Sequence, residues 1–166
     1  ADLPGVSNTE DPLNPGAPLA REELDSNICY TMTKNGGNVD KAFAAADHIF
    51  TMHIASPRQV ALAMEPRGIA VNPDPFGKGL TVWLSTQGPH RARAEIAGTL
   101  GFPENKIHLI APDVGGGFGS KGPVYREDIV ACYLALKLRK PVKWAATRSE
   151  DFITTIQGRD QAMTSE

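Results

Sequence analysis

The stretch KIHLIAPDVGGGFGSKG, residues 106–122, places a short apolar strand directly before a loop with five glycines in eight positions. Glycine loses more conformational freedom on folding than any other residue, so such a loop is costly to order. In return, glycines let the backbone approach a ligand closely and present consecutive N–H groups to an anion. A loop between a strand and a helix is also a common ligand site in α/β proteins. The stretch therefore predicts α/β packing and an anionic ligand.

Two familiar phosphate-binding loops fit this sequence poorly. A P-loop needs a Lys-Ser or Lys-Thr pair after its last glycine, whereas Lys121 is followed by Gly122. A dinucleotide-binding pattern can be threaded through Gly117, Gly119 and Gly122, but no acidic residue follows at the required distance within a first βαβ unit. A tight turn that binds no ligand is the alternative for the loop taken alone.

Hydrophobic periodicity predicts the elements around the loop. Residues 68–72 and 80–85 are predicted to be two strands, joined by a hairpin rich in Pro, Asp and Gly. The other predicted elements are helices over residues 38–46, 89–100 and 126–138, and strands over residues 47–55, 106–110 and 141–146. This order predicts an α+β fold of two layers, in which a mixed sheet carries its helices on one face.

The N-terminal part has a different composition from the rest. Residues 1–28 hold four of the thirteen prolines and few apolar residues, which is typical of an extended linker. We therefore expect residues 1–37 to be a linker or extended segment and residues 38–166 to form the domain. Because the final residues show no capping signal, we expect this domain to be truncated at its C-terminal end.

Composition excludes several classes of function. The 166 residues carry a net charge of −2 and are 41% hydrophobic, which gives no general affinity for nucleic acid. No stretch approaches the roughly 20 apolar residues that span a bilayer. Cys29 and Cys132 lie far apart, and neither they nor the four histidines are spaced for a metal site. We expect a cytoplasmic protein that binds neither nucleic acid nor membranes.

Three segments together resemble a known enzyme family. They are STQ at residues 85–87, LGFPENKIHLIAPDVGGGFGSKG at residues 100–122 and RKPVKWAATRSEDF at residues 139–152. Their combination is similar to the molybdopterin-binding large subunit of the xanthine dehydrogenase, aldehyde oxidase and carbon monoxide dehydrogenase family. The resemblance extends over residues 39–160, so it implies that the chain is a fragment of that subunit.

The resemblance implies a cofactor-binding function for Gln87 and the glycine loop. Gln87 matches the family glutamine whose side chain lies by the apical oxo group of molybdenum. Phe118 and Gly119 match residues whose backbone N–H groups face the molybdenum ligands and the pterin, and Gly116 and Gly117 belong to the same loop. Oxo and phosphate groups are anionic, so they need convergent donors without steric bulk. Considered alone, Gln87 could instead cap the helix predicted to follow it.

The resemblance also implies an activity. The intact enzyme would oxidise an aldehyde, an N-heterocycle or a similar small molecule with water-derived oxygen. It would use molybdopterin with molybdenum, in a form such as the cytosine dinucleotide, and pass electrons to iron–sulfur and FAD subunits or domains outside this chain. The rest of the large subunit would supply the general base, so we expect this fragment to be inactive alone. Gly122 stands where purine-hydroxylating members carry a glutamate, which disfavours xanthine as substrate.

The main alternative is a non-catalytic binding or assembly module that keeps the fold without the cofactor. Four further side chains are expected to be structural. Glu65 is predicted to pair with Arg67 or to cap a turn, rather than to act as a catalytic carboxylate. Trp83 and Trp144 are predicted to lie in the core, on neighbouring strands. Cys132 is predicted to be a small buried residue of the second long helix.

Overall fold

The computed structural model of the chain describes residues 10–76 and 78–166, so the first nine residues of the predicted linker lie outside the described residues. In chain order the elements are α1 (Val39–Ala44), β1 (Met52–Gln59), β2 (Gly68–Pro73), β3 (Leu80–Leu84), α2 (Pro89–Leu100), β4 (Ile107–Ile110), α3 (Arg126–Leu138), β5 (Val142–Ala145), α4 (Arg148–Thr154) and β6 (Gly158–Ser165). Single turns of 3-10 helix occur at Asp11–Leu13 and Glu104–Lys106. Described residues 10–59 and 159–166 form one compact unit, and residues 60–158 form another.

The larger unit contains a four-stranded sheet in the order β4-β3-β2-β5. Strand β2 runs antiparallel to β3, with Ile69 opposite Leu84, and antiparallel to β5, with Ile69 opposite Trp144. Strand β4 runs parallel to β3, with Val82 opposite Leu109. Parallel neighbours need a crossover connection, which α2 provides here. The predicted mixed sheet is therefore confirmed.

The core lies between one face of this sheet and helices α2 and α3. Leu80, Val82 and Leu84 are buried, whereas Trp83 between them is 39% exposed. Successive side chains of a strand point to opposite faces, so Trp83 lies on the face away from the helices. Its predicted place in the core is wrong, while Trp144 does pack against the core cluster. The helices contribute small and medium side chains, namely Ala92, Ile96, Ala97, Ala131, Cys132 and Ala135.

Helix α3 carries two buried titratable groups on its inner side. The Asp128 carboxylate accepts a hydrogen bond of 2.9 Å from the Tyr125 N–H at the start of the helix. Burial raises the pKa of Asp128 to about 6, although the Tyr125 N–H and the Arg67 charge work to lower it. One turn later, burial and the neighbouring Asp128 raise the pKa of the Cys132 thiol to about 12. The predicted burial of Cys132 is confirmed, and its thiol is held in the neutral, unreactive form.

Arg67 ties the start of β2 to α3 and α4. Its side chain is 4% exposed, and its Nε lies 3.1 Å from Asp151 Oδ1. Its guanidinium stacks on the ring of Tyr125 at 3.8 Å from the centroid, and Nη2 lies 3.4 Å from Glu127 Oε1. Since its partners come from the two helices, Arg67 does not pair with Glu65, and that prediction is wrong.

Three further features depart from the predicted elements. Strand β1 begins five residues later than predicted, at Met52 rather than Asp47. Helix α4 was not predicted, although Thr147 and Glu150 form a reciprocal capping box in which the Thr147 N–H donates to Glu150 Oε2 at 2.7 Å. In the smaller unit β6 pairs with β1, and this strand was not predicted either. Among the described residues, no helix is long and apolar enough to cross a bilayer.

Candidate functional site

The glycine loop follows β4 and leads into α3. Its second half is a pair of successive turns, in which the N–H and Oγ of Ser120 donate to the carbonyl of Gly117 at 2.9 and 2.8 Å. The Gly122 N–H donates to the Gly119 carbonyl at 3.1 Å. Phe118, at the tip, has a positive φ of 50° and its side chain is 77% exposed. The loop is thus folded on its own backbone and presents its tip to solvent.

Gln87, three residues after β3, holds the far end of this loop. Its Oε1 accepts from the Gly119 N–H at 3.0 Å and from the Lys121 N–H at 3.3 Å. Its own N–H donates to the Lys121 carbonyl at 2.9 Å. Two N–H donors meet the same side-chain atom, so that atom is the carbonyl oxygen and the NH2 group is left as a donor. The structure therefore brings Gln87 to the glycine loop rather than to the cap of α2, which is Gly88 without a side-chain cap.

Gly117 is required by the closeness of this contact. A Cβ atom at position 117 would lie 2.5 Å from Gln87 Oε1 and 2.6 Å from Gln87 Cδ. Such distances are far inside van der Waals contact, so any side chain would push the Gln87 amide off the loop. The glycine thus fixes the position of the predicted cofactor-binding side chain.

Between these contacts lies a group of unused donors. Among residues 10–76 and 78–166, no acceptor bonds the N–H groups of Gly116, Gly117 and Phe118, or Gln87 Nε2. Three successive N–H groups in a loop with positive φ at Gly116 and Phe118 are typical of a concave anion site. The Gly119 N–H, also predicted to face the cofactor, is already engaged by Gln87 Oε1. The donor set fits an anionic group with several acceptor oxygens.

Glu65 is a site residue that the sequence interpretation missed. Its Oε2 accepts from Lys121 Nζ at 2.7 Å, from Ser85 Oγ at 2.8 Å and from the Gly115 N–H at 2.8 Å. Burial works to raise the pKa of Glu65, but the hydrogen bonds from Lys121, Ser85 and Gly115 outweigh it and hold the pKa below its usual value. The Lys121 side chain is only 1% exposed, and a buried ammonium group requires a carboxylate partner. An isolated lysine inside a glycine loop was the signal that could have identified this pair.

The described residues contain no group of three or more His, Cys, Asp or Glu side chains that could hold a metal ion.

The sequence of this chain is similar to those of several known proteins. The family profile of the molybdopterin cofactor-binding domain matches residues 20–166. The carbon monoxide dehydrogenase large chain of Hydrogenophaga pseudoflava is 32% identical over 178 aligned positions, which cover 99% of this chain and 22% of that protein. The nicotine 6-hydroxylase large subunit of Paenarthrobacter nicotinovorans is 33% identical over 149 positions, covering 90% of this chain and 18% of that protein.

A solved structure shows the same fold. Quinoline 2-oxidoreductase from Pseudomonas putida 86 superposes with a TM-score of 0.78 at 29% identity, covering 98% of this chain and 20% of that chain. The chain thus spans about a fifth of the length of these three relatives. The profile match, the relatives above 30% identity and the shared fold show that the chain belongs to the family of molybdopterin cofactor-binding domains.

Proposed function

We propose that the protein containing this chain is a molybdenum hydroxylase and that the chain supplies one wall of its molybdopterin site. The observation that carries the proposal is the contact of Gln87 with the glycine loop, beside three successive backbone N–H groups that have no acceptor among the described residues. Molybdopterin is rich in anionic oxygen atoms, and such a set of donors is what it would require. When bound, this cofactor supplies the redox-active metal that takes electrons from the substrate.

Each of the predicted site residues has a distinct part in this proposal. Gln87 Nε2 would donate to an oxygen acceptor of the cofactor, since the Gln87 carbonyl oxygen is turned towards the loop. The N–H groups of Gly116, Gly117 and Phe118 would donate to anionic oxygen atoms of the cofactor. The Gly119 N–H orients the Gln87 amide, and an acceptor on the cofactor would share that N–H with Gln87 Oε1.

Glu65 is poorly suited to act as the general base. Its Oε2 already accepts three hydrogen bonds, and its pKa lies below the usual value, so the carboxylate holds a proton weakly at neutral pH. A catalytic base works best when its pKa is close to the operating pH. We therefore propose that the base comes from the rest of the large subunit, and that this chain alone does not turn over substrate.

The substrate is proposed to be an N-heterocycle, an aldehyde or a similar small molecule, oxidised with water-derived oxygen. Two similar proteins are named for N-heterocycles, nicotine and quinoline, which supports this class. We further propose that the cofactor is in the cytosine dinucleotide form and that electrons leave through iron–sulfur and FAD subunits or domains. Relatives named as a large chain and as a large subunit support an assembly of several subunits.

The test is the cofactor content of the full-length protein. Molybdenum is measured by mass spectrometry and pterin by fluorescence after oxidation, in wild type, Gln87→Ala and Gln157→Ala. We expect both components in wild type and about a tenfold loss in Gln87→Ala, as for residues that orient a metal group. Gln157 is exposed and, among the described residues, its side chain makes no hydrogen bond to the loop, so its variant should match wild type. A full-length protein without molybdenum would instead identify a non-catalytic module.

A further inference from the structure

The near end of the glycine loop is held as tightly as the far end. Gly115 and Glu65 exchange two hydrogen bonds, from the Gly115 N–H to Glu65 Oε2 at 2.8 Å and from the Glu65 N–H to the Gly115 carbonyl at 3.1 Å. A Cβ at position 115 would lie 2.5 Å from the Glu65 Cβ, so only glycine permits this approach. The unused donors therefore lie between two anchors, Glu65 before them and Gln87 after them.

Lys121 connects these two anchors through separate groups. Its backbone N–H and carbonyl both bond Gln87, at 3.3 and 2.9 Å. Its side-chain Nζ lies 2.7 Å from Glu65 Oε2 and is shielded from water, since the side chain is 1% exposed. One residue thus fixes the distance between the two ends of the loop.

The ion pair also sets the charge beside the donors. The Glu65 carboxylate bonds the Gly115 N–H, one residue before the first unused N–H group at Gly116. An uncompensated carboxylate there would oppose any anion bound to the loop, and Lys121 cancels its charge. The pair is therefore neutral as a whole, and the backbone N–H groups are left to attract the ligand.

We infer that Glu65 and Lys121 form a positioning pair for the cofactor, which sets the spacing and the charge of the loop on which the cofactor rests. This inference rests on the proposed function. Neither residue touches the reacting atoms in it, because Glu65 acts through the Gly115 backbone and Lys121 acts through Glu65 and Gln87.

A positioning pair and a merely stabilising pair respond differently to neutral substitutions. Glu65→Gln alone leaves the buried ammonium of Lys121 without a counter-charge, so it should lower both the melting temperature and the cofactor content. The double variant Glu65→Gln/Lys121→Met removes both charges, so its melting temperature should return towards that of wild type. Its cofactor content should nevertheless stay low, by about tenfold, because the link between the two anchors is lost.

The experiment measures molybdenum and pterin per folded full-length protein, together with melting temperature, in these two variants and in Arg93→Met/Glu104→Gln. The control removes an exposed ion pair of 2.8 Å that, within the described part of the chain, makes no hydrogen bond or ion pair with the loop, so its cofactor content should match wild type. If the double variant of the loop pair recovers both stability and cofactor, the pair is only structural and the inference is wrong.

The outcomes separate this inference from the proposed function. Wild type without molybdenum overturns both. Wild type with molybdenum, a depleted Gln87→Ala and a fully loaded Glu65→Gln/Lys121→Met overturn the positioning pair alone. If Glu65→Gln and the double variant do not fold, Ser85→Ala tests the inference instead. It removes only the 2.8 Å hydrogen bond that orients Glu65. About a threefold faster loss of molybdenum is then expected, and an unchanged rate of loss would refute the inference.

Discussion

Two buried cations, Arg67 and Lys121, make comparable ion pairs with different surroundings. Arg67 faces Asp151, whose side chain is 6% exposed, and it also stacks on Tyr125. Lys121 faces Glu65, whose side chain is 40% exposed. Arg67 is enclosed by partners on α3 and α4, whereas the partner of Lys121 opens to solvent beside the candidate site. The Arg67–Asp151 pair therefore stabilises the packing of the helices against the sheet, whereas the Lys121–Glu65 pair holds the glycine loop in place.

Removing Arg67 should produce the largest effect. Arg67→Met leaves Asp151 charged in a buried site, where it keeps the backbone N–H of residue 67 at 3.3 Å and Arg148 Nη1 at 3.7 Å but loses its closest cation. We expect the free energy of unfolding to fall by about 3–5 kcal/mol, as when one member of a buried pair is deleted. Urea denaturation of this chain measures the change.

Lys121→Met is the matched variant for this comparison. The Glu65 carboxylate can regain water on its exposed side and keeps its bonds to Ser85 and Gly115, so the loss should be only about 1 kcal/mol. If the free energy of unfolding falls equally in the two variants, or falls further in Lys121→Met, the Arg67 pair is not the more important of the two for stability.

The pH dependence of stability should also differ between the surroundings of Arg67 and those of Lys121. In the folded chain the pKa of Asp128, near Arg67, is raised by burial from 3.8 to about 6. The folded state therefore binds this proton more tightly, so the contribution of Asp128 to the free energy of unfolding falls as pH rises from about 3.8 to about 6.

Asp128→Asn removes this titration. The free energy of unfolding of this variant, relative to that of wild type, should rise by about 3 kcal/mol across that window and stay level above it. Urea denaturation at closely spaced pH values measures the difference in free energy of unfolding between Asp128→Asn and wild type. The pKa of Glu65 is lowered instead, so its stabilisation is lost only as pH falls below the usual value of 4.5. A constant gap between Asp128→Asn and wild type would contradict the raised pKa.

The smallest expected effect is a difference in thiol labelling rates. Cys29 is exposed and should react at once with a thiol reagent, whereas Cys132 is buried on α3 and its pKa is raised to about 12. Arg67→Met should accelerate labelling of Cys132, because α3 loses a tie to β2, while Lys121→Met should leave the rate unchanged. Labelling of both thiols at equal rates in wild type would show that α3 does not protect Cys132.

Local patterns were sufficient to predict the sheet and its two long helices. Alternation marks β2 and β3, and α2 lies between Pro89 and Gly101, whose φ of 61° ends the helix. Strand β6 carries no comparable local signal, because it is defined by pairing with β1, which lies far earlier in the sequence. Such pairing depends on tertiary contacts, so periodicity alone could not reveal it.

The site shows the same division between local and distant information. The glycine loop was predicted to be a ligand site from its composition, and its association with Gln87 was expected from the family resemblance. The Glu65–Lys121 pair was missed because Arg67, two residues from Glu65 in sequence, was the obvious partner. In the folded chain Arg67 pairs with Asp151, which lies far along the sequence, and Glu65 pairs with Lys121. Sequence distance was a poor guide to charge pairing here.

The two anchors at Glu65 and Gln87 have a consequence for the strength of ligand binding. A loop of five glycines that became ordered only around its ligand would lose much of its interaction free energy to that ordering. Here the ordering occurs when the chain folds, because the hydrogen bonds to Gly115, Gly119 and Lys121 are made within the protein. The loop is therefore preorganised, and a ligand that meets its free N–H groups keeps most of the affinity those contacts provide.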